Sequence, residues 1–261
     1  MRKITFLFCG LLTLFSLIGI NNLQAQAYTF TSANLTYSEN FDGMGTSGTA
    51  FLTGWYGYRY AGSTAAGDLT TLVASTGTST TGGCHNVGTA GGDRSIGLLA
   101  SNSTIPRIGA TFTNNTGGNI TSLAFSFVME QWRSASSNTV DEINTFEYSF
   151  DATSLSTGTW TAFTNLNLYE LLTGTTTNTN VDGTASGNYT NISATLSSIT
   201  WGNGTTMWIR WNDDNAAGSD CLLSIDDLSI TATYSAASPQ PTNHVEDLDG
   251  SVTDPATMVI T

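Results

Sequence analysis

The sequence has little charge and very few basic residues. Its 261 residues include 7 Lys and Arg against 20 Asp and Glu, which gives a formal net charge of −13. Charged residues make up only 10% of the chain, whereas soluble domains typically carry about 25%. So few bases exclude a protein that binds nucleic acid or an anionic membrane surface, because both depend on Lys and Arg. Neutral glycans and divalent cations remain compatible partners.

Long apolar runs are also scarce, and the single one stands at the beginning of the chain. A basic start precedes an apolar stretch of 17 residues, 4–20, and a small-x-small site that ends at Ala27. This order predicts a secretory signal peptide, residues 1–27, with Ala25 as a second possible cleavage point. A membrane anchor is the alternative. Cleavage leaves a secreted chain with five Arg, no Lys and no membrane span.

Cysteine is rare as well. Outside the predicted signal peptide only Cys84 and Cys221 remain. An oxidising compartment and an even count favour a disulfide between them. The bridge would require the two Cα atoms to lie within about 7 Å of each other. The sequence does not fix that distance, so two free thiols are the alternative.

The residues that are abundant, Thr, Ser, Asn and Gly, favour strands and turns over helices. From 35 to 234 the apolar residues recur with a period of two, and Gly-, Asn-, Asp- and Ser-rich clusters interrupt them. The clearest runs are Ile108/Ala110/Phe112, Leu123/Phe125/Phe127/Met129, Phe146/Tyr148/Phe150 and Met207/Ile209/Trp211. The pattern predicts one all-β domain over 28–234, an antiparallel two-sheet β-sandwich of jelly-roll type with roughly a dozen strands and no helix.

The C-terminal tail differs in composition from the domain before it. Residues 235–242 form a Pro-containing stretch that predicts a linker. The last segment, 243–261, is too short to bury a core of its own. We interpret it as the truncated start of a second module of fibronectin type III-like character, with a disordered C-terminus as the alternative.

Acidic residues stand near both ends of the predicted sandwich, where the first and last strands often pair. Glu39 or Asp42 could then meet Asp226 or Asp227 and supply the oxygen ligands that Ca²⁺ prefers. The alternative is that Asp226 and Asp227 accept backbone N–H bonds at a turn or a strand end. The stretch from Asn212 to Asn215, followed by Gly218 and Asp220, resembles a calcium loop weakly and an Asx-turn loop more closely.

A second group of residues combines aromatic rings with fixed polar groups. A ring can cover the apolar face of a sugar while Arg or a carboxylate binds its hydroxyls. The alternative is structural, with the Trp residues filling the core and Glu130 paired with Arg210. An acid-pair glycosidase is a third reading of the carboxylates. The candidate ligand-binding residues are Glu130, Trp132, Arg133, Trp208, Arg210, Trp211 and Asp213.

The ordered motifs of residues 35–234 resemble bacterial extracellular jelly-roll and laminin G-like β-sandwich domains, a group that includes carbohydrate-binding modules. The motifs are Glu39-Asn-Phe-Asp42, Gly54-Trp55, Glu130-Gln-Trp-Arg133, Phe146-Glu-Tyr-Ser149, Trp208-Ile-Arg-Trp-Asn-Asp213 and Ile225-Asp-Asp-Leu-Ser-Ile230. Such domains occur beside fibronectin type III, nuclease or phosphatase modules. In carbohydrate-binding relatives, acids of the first strand and of the closing pair hold a structural calcium. The resemblance therefore implies calcium at Glu39, Asp42, Asp226 and Asp227.

The sequence contains no catalytic motif. The prediction is therefore a non-catalytic binding or spacer domain of a multidomain protein, secreted or at the bacterial cell surface. Its expected partner is a glycan or another component of the extracellular matrix or cell surface. The alternative is an accessory domain of a secreted nuclease or phosphatase whose catalytic part lies beyond residue 261, and an acid-pair glycosidase is the third hypothesis.

Overall fold

The computed structural model describes residues 27–135, 142–174 and 177–236. This part of the chain forms two packed β-sheets, and its only helical elements are the short 3-10 turns Asp42–Met44 and Thr164–Leu166. The predicted all-β sandwich is therefore confirmed. In the same residues no helix is long and apolar enough to cross a membrane.

Fifteen strands build the two sheets. They are β1 (Tyr28–Thr31), β2 (Thr36–Glu39), β3 (Trp55–Ala61), β4 (Gly67–Leu69), β5 (Val73–Ser75), β6 (Gly83–Gly88), β7 (Arg94–Leu99), β8 (Ile105–Asn115), β9 (Gly118–Arg133), β10 (Ile143–Ser149), β11 (Thr161–Ala162), β12 (Leu168–Tyr169), β13 (Tyr189–Trp201), β14 (Thr206–Asn212) and β15 (Leu222–Ala236).

The first sheet has the order β11-β10-β14-β8-β3-β4, with β1 beside β8 and β12 beside β10. The second sheet has the order β13-β9-β15-β7-β6-β5, with β2 beside β15. Most pairs are antiparallel, whereas β1–β8 and β5–β6 are parallel. The pairing of β2 with β15 brings an early strand beside the last one.

The hydrophobic core lies between the sheets and follows the alternation seen in the sequence. Ile108, Phe125, Phe146 and Trp211, one from each of the four predicted runs, are at most 2% exposed. The third run departs from the pattern at its end. Phe150 is 37% exposed, because β10 ends at Ser149 and the chain turns away from the sheet there.

The last strand continues to Ala236. The sandwich therefore includes the first two residues of the predicted linker, 235–242. The predicted signal peptide, apart from residue 27, the rest of that linker and the predicted second module at 243–261 lie outside the described residues.

The predicted disulfide is wrong for this structure, in which Cys84 and Cys221 are both free and buried. Cys84 in β6 pairs with Leu98 of β7, and Leu98 pairs with Leu223 of β15. A whole strand therefore separates the two cysteines. Two strand spacings of about 4.8 Å already exceed the Cα separation that a disulfide tolerates.

Candidate functional site

The outward face of the first sheet carries a group of aromatic and arginine side chains. Because Met207, Ile209 and Trp211 of β14 point into the core, the alternate residues Trp208 and Arg210 point outward. The same alternation in β3 and β8 turns three tyrosines and one arginine to this face. We call Tyr56, Tyr58, Tyr60, Arg107, Trp208 and Arg210 the aromatic face.

The segment 150–160 folds over part of this face and fixes its side chains. Trp208 packs against Ala152 and Leu155 of the segment. The carbonyl oxygen of Leu155 accepts hydrogen bonds from Nη1 of Arg107 at 2.9 Å and from Nη1 of Arg210 at 2.6 Å. Gly109 makes this approach possible, since a Cβ there would lie 2.7 Å from Cδ2 of Leu155.

The guanidinium group of Arg210 is held on three sides. Its Nε and Nη2 lie 2.8 and 2.7 Å from Oε2 of Glu147 on the neighbouring strand. Nδ2 of Asn212 donates to the same oxygen at 2.8 Å. The guanidinium carbon lies 3.8 Å from the ring centroid of Trp160. These contacts fix Arg210 and pair its charge before any ligand arrives.

Arg107 lies beside two tyrosine rings, 4.2 Å from the centroid of Tyr60 and 5.9 Å from that of Tyr58. Burial, and then repulsion by Arg210, lower the pKa of this guanidinium to about 10. It stays charged at neutral pH, yet its buried Nε has no hydrogen-bond partner.

A cavity of about 320 Å³ opens beside these residues. Tyr56 and Trp208 form one wall, with their ring centroids 5.1 Å apart, and Phe51, Leu155 and Asp68 also line the cavity. Its volume lies within the range of small-molecule sites, about 300–1,000 Å³. Its walls are mostly apolar with a few polar groups, which is typical of a binding site.

In the structure, the predicted ligand-binding residues do not lie together. Trp208 and Arg210 belong to the aromatic face. Trp211 faces the core, where its Nε1 donates to the carbonyl of Leu166 at 2.9 Å. Asp213 is 2% exposed at the end of β14. The prediction that these residues share one site is wrong, because alternation sends neighbouring residues to opposite faces.

The remaining three predicted residues lie on β9, which belongs to the second sheet. Nε1 of Trp132 donates to Oε2 of Glu130 at 2.8 Å, so Glu130 does not pair with Arg210. Arg133 donates from Nε to Asn178 at 2.6 Å and from Nη1 to the carbonyl of Gly77 at 3.1 Å. Their contacts join loops to the second sheet.

Sequence reasoning missed several members of the aromatic face. The three tyrosines alternate along Trp55-Tyr-Gly-Tyr-Arg-Tyr60, so period two was sufficient to find them. Trp160 and Leu155 come from an irregular segment, and Glu147 alternates with the core residues of β10. No spacing rule connects that segment with β14.

The predicted calcium ligands do not form one cluster. Glu39 accepts a hydrogen bond from the backbone N–H of Phe41 at 3.0 Å, and Asp42 accepts one from that of Arg94 at 2.9 Å. The alternative expected for Asp226 is met as well, since its Oδ1 accepts the backbone N–H of Asp227 at 2.7 Å. Asp227 is exposed and has a φ of 47°. A register shift of the β9–β15 pairing lies between Asp226 and Ser229, and Asp227 lines a shallow pocket with Glu39.

Asp226 instead lies with Asp93 and Glu130 on the outward face of the second sheet. We call these three acids the Asp93 group. One ligand oxygen of each lies within 4.8 Å of the others, and they are the only such group in the described residues. Burial, followed by repulsion from Glu130, Asp227 and Asp93, raises the pKa of Asp226 to about 8. The predicted calcium site stays a prediction, and Asp226 is the single predicted ligand in this group.

No protein-family model and no curated protein matches the sequence. Solved structures of similar outline include carbohydrate-binding modules, the group that the sequence motifs resemble, and bacterial adhesin domains.

One of them is the CBM22-1 xylan-binding domain of Paenibacillus barcinonensis Xyn10C, at 8% identity over 81% of this chain and 100% of that one, with a TM-score of 0.39. Another is the K3 cleaved adhesin domain of Lys-gingipain from Porphyromonas gingivalis, at 14% identity over 75% and 98% of the two chains, with a TM-score of 0.43.

Proposed function

We propose that the aromatic face binds a neutral glycan, and that the domain is a non-catalytic recognition module of a secreted protein. The observation that supports this most directly is the cavity of about 320 Å³ between Tyr56, Trp208 and Leu155. Rings at its wall match the apolar face of a pyranose, and the neighbouring polar groups match its hydroxyls.

The charges around the cavity favour an uncharged ligand. Arg210 is already paired with Glu147, and Asp68 lines the opening of the cavity. Arg107 is held by the carbonyl of Leu155 and lies outside the lining of the cavity. An anionic ligand would meet Asp68 and a chain with a formal net charge of −13. We therefore infer a neutral polysaccharide of the extracellular matrix or cell surface as the partner.

A glycan array with the purified protein tests the proposal, followed by titration calorimetry with the best ligand. Tyr56→Ala removes one wall of the cavity and is expected to weaken binding at least tenfold. A ring contact of this kind contributes about 1–3 kcal/mol when it is lost to alanine. Tyr56→Phe keeps the ring and should retain most of the affinity.

Tyr189→Ala is the matched control, since Tyr189 is 43% exposed on β13 of the second sheet. It should bind like the unchanged protein. Circular dichroism and the melting temperature establish that each variant is folded. The proposal fails if no glycan binds, or if Tyr56→Ala and Tyr189→Ala have equal affinities for it.

A further inference from the structure

A second cavity, the end cavity, lies at one end of the second sheet, away from the aromatic face. Three neighbouring strands stop or start there, since β7 ends at Leu99, β9 ends at Arg133 and β15 begins at Leu222. The turn after β7 and the segment before β15 surround an opening of about 200 Å³. Its polar lining includes Thr80, Ser101, Asn102, Arg133, Asn178 and Ser219.

Arg133 is the basic residue of the end cavity, and its guanidinium group is fixed. Only 8% of the residue is exposed. Its Nε donates to Oδ1 of Asn178 at 2.6 Å, and its Nη1 donates to the carbonyl oxygen of Gly77 at 3.1 Å. A Cβ at Gly77 would lie 2.2 Å from the carbonyl oxygen of Trp132, so this close approach depends on glycine. The guanidinium group therefore has one orientation before a ligand arrives.

The charge of Arg133 is not balanced by any acid of the described residues. Its Nη2 has no hydrogen-bond partner among them and is not fully enclosed, so it remains open to the cavity. The single ion pair in this part of the chain joins Arg210 to Glu147. Burial alone lowers the pKa of the Arg133 guanidinium, which stays charged at neutral pH. Because buried charges are normally paired, this open donor indicates an anionic ligand.

The acid on the cavity wall does not neutralise Arg133. Asp220 lines the end cavity as well, but its Oδ1 is enclosed by protein atoms. Its carboxyl group forms a hydrogen bond with the side chain of Glu142. The carboxyl group of Asp220 is thus engaged within the protein, and Nη2 of Arg133 is left for a ligand.

The other side chains of the end cavity favour a ligand that carries hydroxyl groups. The hydroxyls of Thr80 and Ser101 and the amide of Asn102 can each donate to, or accept from, a ligand hydroxyl. Among the described residues, no aromatic ring lines this cavity. A ligand would therefore be held by hydrogen bonds and by the charge of Arg133, and not by stacking.

We propose that the end cavity binds a small hydroxylated carboxylate, the chemistry of a uronic-acid sugar, with the carboxylate on Arg133. The guanidinium group is suited to this ligand, because its planar N–H donors match carboxylate oxygens. The negative charge of the chain opposes an anion at long range. Salt screens that repulsion beyond about 8 Å at physiological ionic strength, so the direct contact with Arg133 decides the affinity.

NMR titration of the isotope-labelled protein with glucuronate, galacturonate, glucose and galactose tests the proposal. Each uronate should bind at least about tenfold more tightly than the neutral sugar of the same configuration, because a hydrogen bond to a charged group is stronger. The amide signals of Ser101, Asn102 and Gly218 should shift, and that of Tyr56 should not. Equal affinities for charged and neutral sugars, or shifts confined to the aromatic face, would overturn the proposal.

Arg133→Gln removes the charge and should weaken uronate binding at least about tenfold. Arg59→Gln, on β3 of the first sheet, is the matched control: it removes the same charge outside both cavities and should bind like the unchanged protein. If Arg133→Gln keeps its affinity, the proposal is wrong. Tyr56→Ala should leave uronate affinity unchanged, so this proposal and that for the aromatic face fail separately.

If Arg133→Gln does not fold, a crystal of the unchanged protein grown with glucuronate decides instead. Density for the sugar with a carboxylate oxygen about 2.7–2.9 Å from Nη2 of Arg133 would support the proposal. A cavity that holds only water under these conditions would overturn it.

Discussion

The outward faces of the two sheets are made by the same alternation and carry different chemistry. On the first sheet, the residues between the core positions are Tyr56, Tyr58, Trp208 and Arg210. On the second sheet, β2, β9, β13 and β15 expose mainly small hydroxyl side chains, among them Thr36, Ser126, Ser193, Thr195 and Thr231. Both faces are solvated without many charges, but only the first offers rings around a cavity. The core therefore sets the fold, and the outward residues of one sheet carry the proposed recognition.

The largest difference in stability should come from truncating one outward side chain on each sheet to alanine. Trp208 is 4% exposed beneath Leu155, so Trp208→Ala should open a cavity and lower the free energy of unfolding by about 3–5 kcal/mol. Thr195→Ala, on the exposed face of β13, should change it by less than about 0.5 kcal/mol. Urea denaturation followed by circular dichroism measures both. Equal losses would remove the distinction between the two faces.

The Asp93 group predicts a pH response of the second sheet, beside that of Glu142 before β10, whose pKa burial also raises, to about 8. Burial and neighbouring acids raise the pKa of Asp226 to about 8 from an ordinary 3.8. A raised pKa means that the folded state favours the protonated acid. Its contribution is fully present below about pH 4 and is lost as the pH rises through 8.

In a chelating buffer the melting temperature should therefore fall between pH 6.5 and 8.5, by several degrees. Burial lowers the pKa of His85 from 6.5 to about 4, so the folded form is neutral while the unfolded form is still partly protonated near pH 6.5. His85 therefore opposes the fall by a small amount below about pH 7.5. Asp226→Asn should reduce the fall, and the fall that remains should come from acids such as Glu142. If Ca²⁺ occupies the group, added calcium should raise the melting temperature most at pH 8.5. A flat profile for the unchanged protein contradicts the prediction.

The alternation in the sequence was sufficient to predict the β-sandwich and to predict which residues of a strand share a face. It placed Ile108, Phe125 and Trp211 in the core, where the structure has them. It could not show that β9 and β14 belong to different sheets, because a period of two states which residues share a face and not which strands pair. That is why Trp132 and Trp208 were grouped together although they lie on different sheets.

The contacts of turn residues could not be predicted from the sequence, for a different physical reason. Asp93 stands in a glycine-rich turn before β7 and meets Asp226 only because β7 pairs with β15. The oxidising compartment favoured a disulfide, but the strand order puts β7 between the two cysteines. Both cases depend on long-range pairing, which short spacings in one sequence do not encode.

The third prediction concerns the ion pair of the first sheet. Glu147→Gln removes the charge that holds Arg210, whose side chain is 10% exposed against 23% for Glu147. A partly buried pair lies between the surface and core limits, so the expected loss is about 1–2 kcal/mol. Glu39→Gln on the second sheet is the control, because its amide oxygen still accepts the N–H of Phe41. Chemical denaturation of both variants should show a loss for Glu147→Gln alone.

The smallest predicted effect on stability comes from breaking a hydroxyl pair on the second sheet. Oγ1 of Thr36 and Oγ1 of Thr231 lie 3.1 Å apart across β2 and β15, and both residues are exposed. Such a cross-strand pair contributes about 0.2–1 kcal/mol. Thr231→Ala should cost that much, and a double-mutant cycle with Thr36→Ala should show coupling of the same size. Glycan affinity should be unchanged in all three variants, because neither residue lines the cavity of the proposed site. A loss of affinity from Thr231→Ala would place recognition on the second sheet and reverse the comparison.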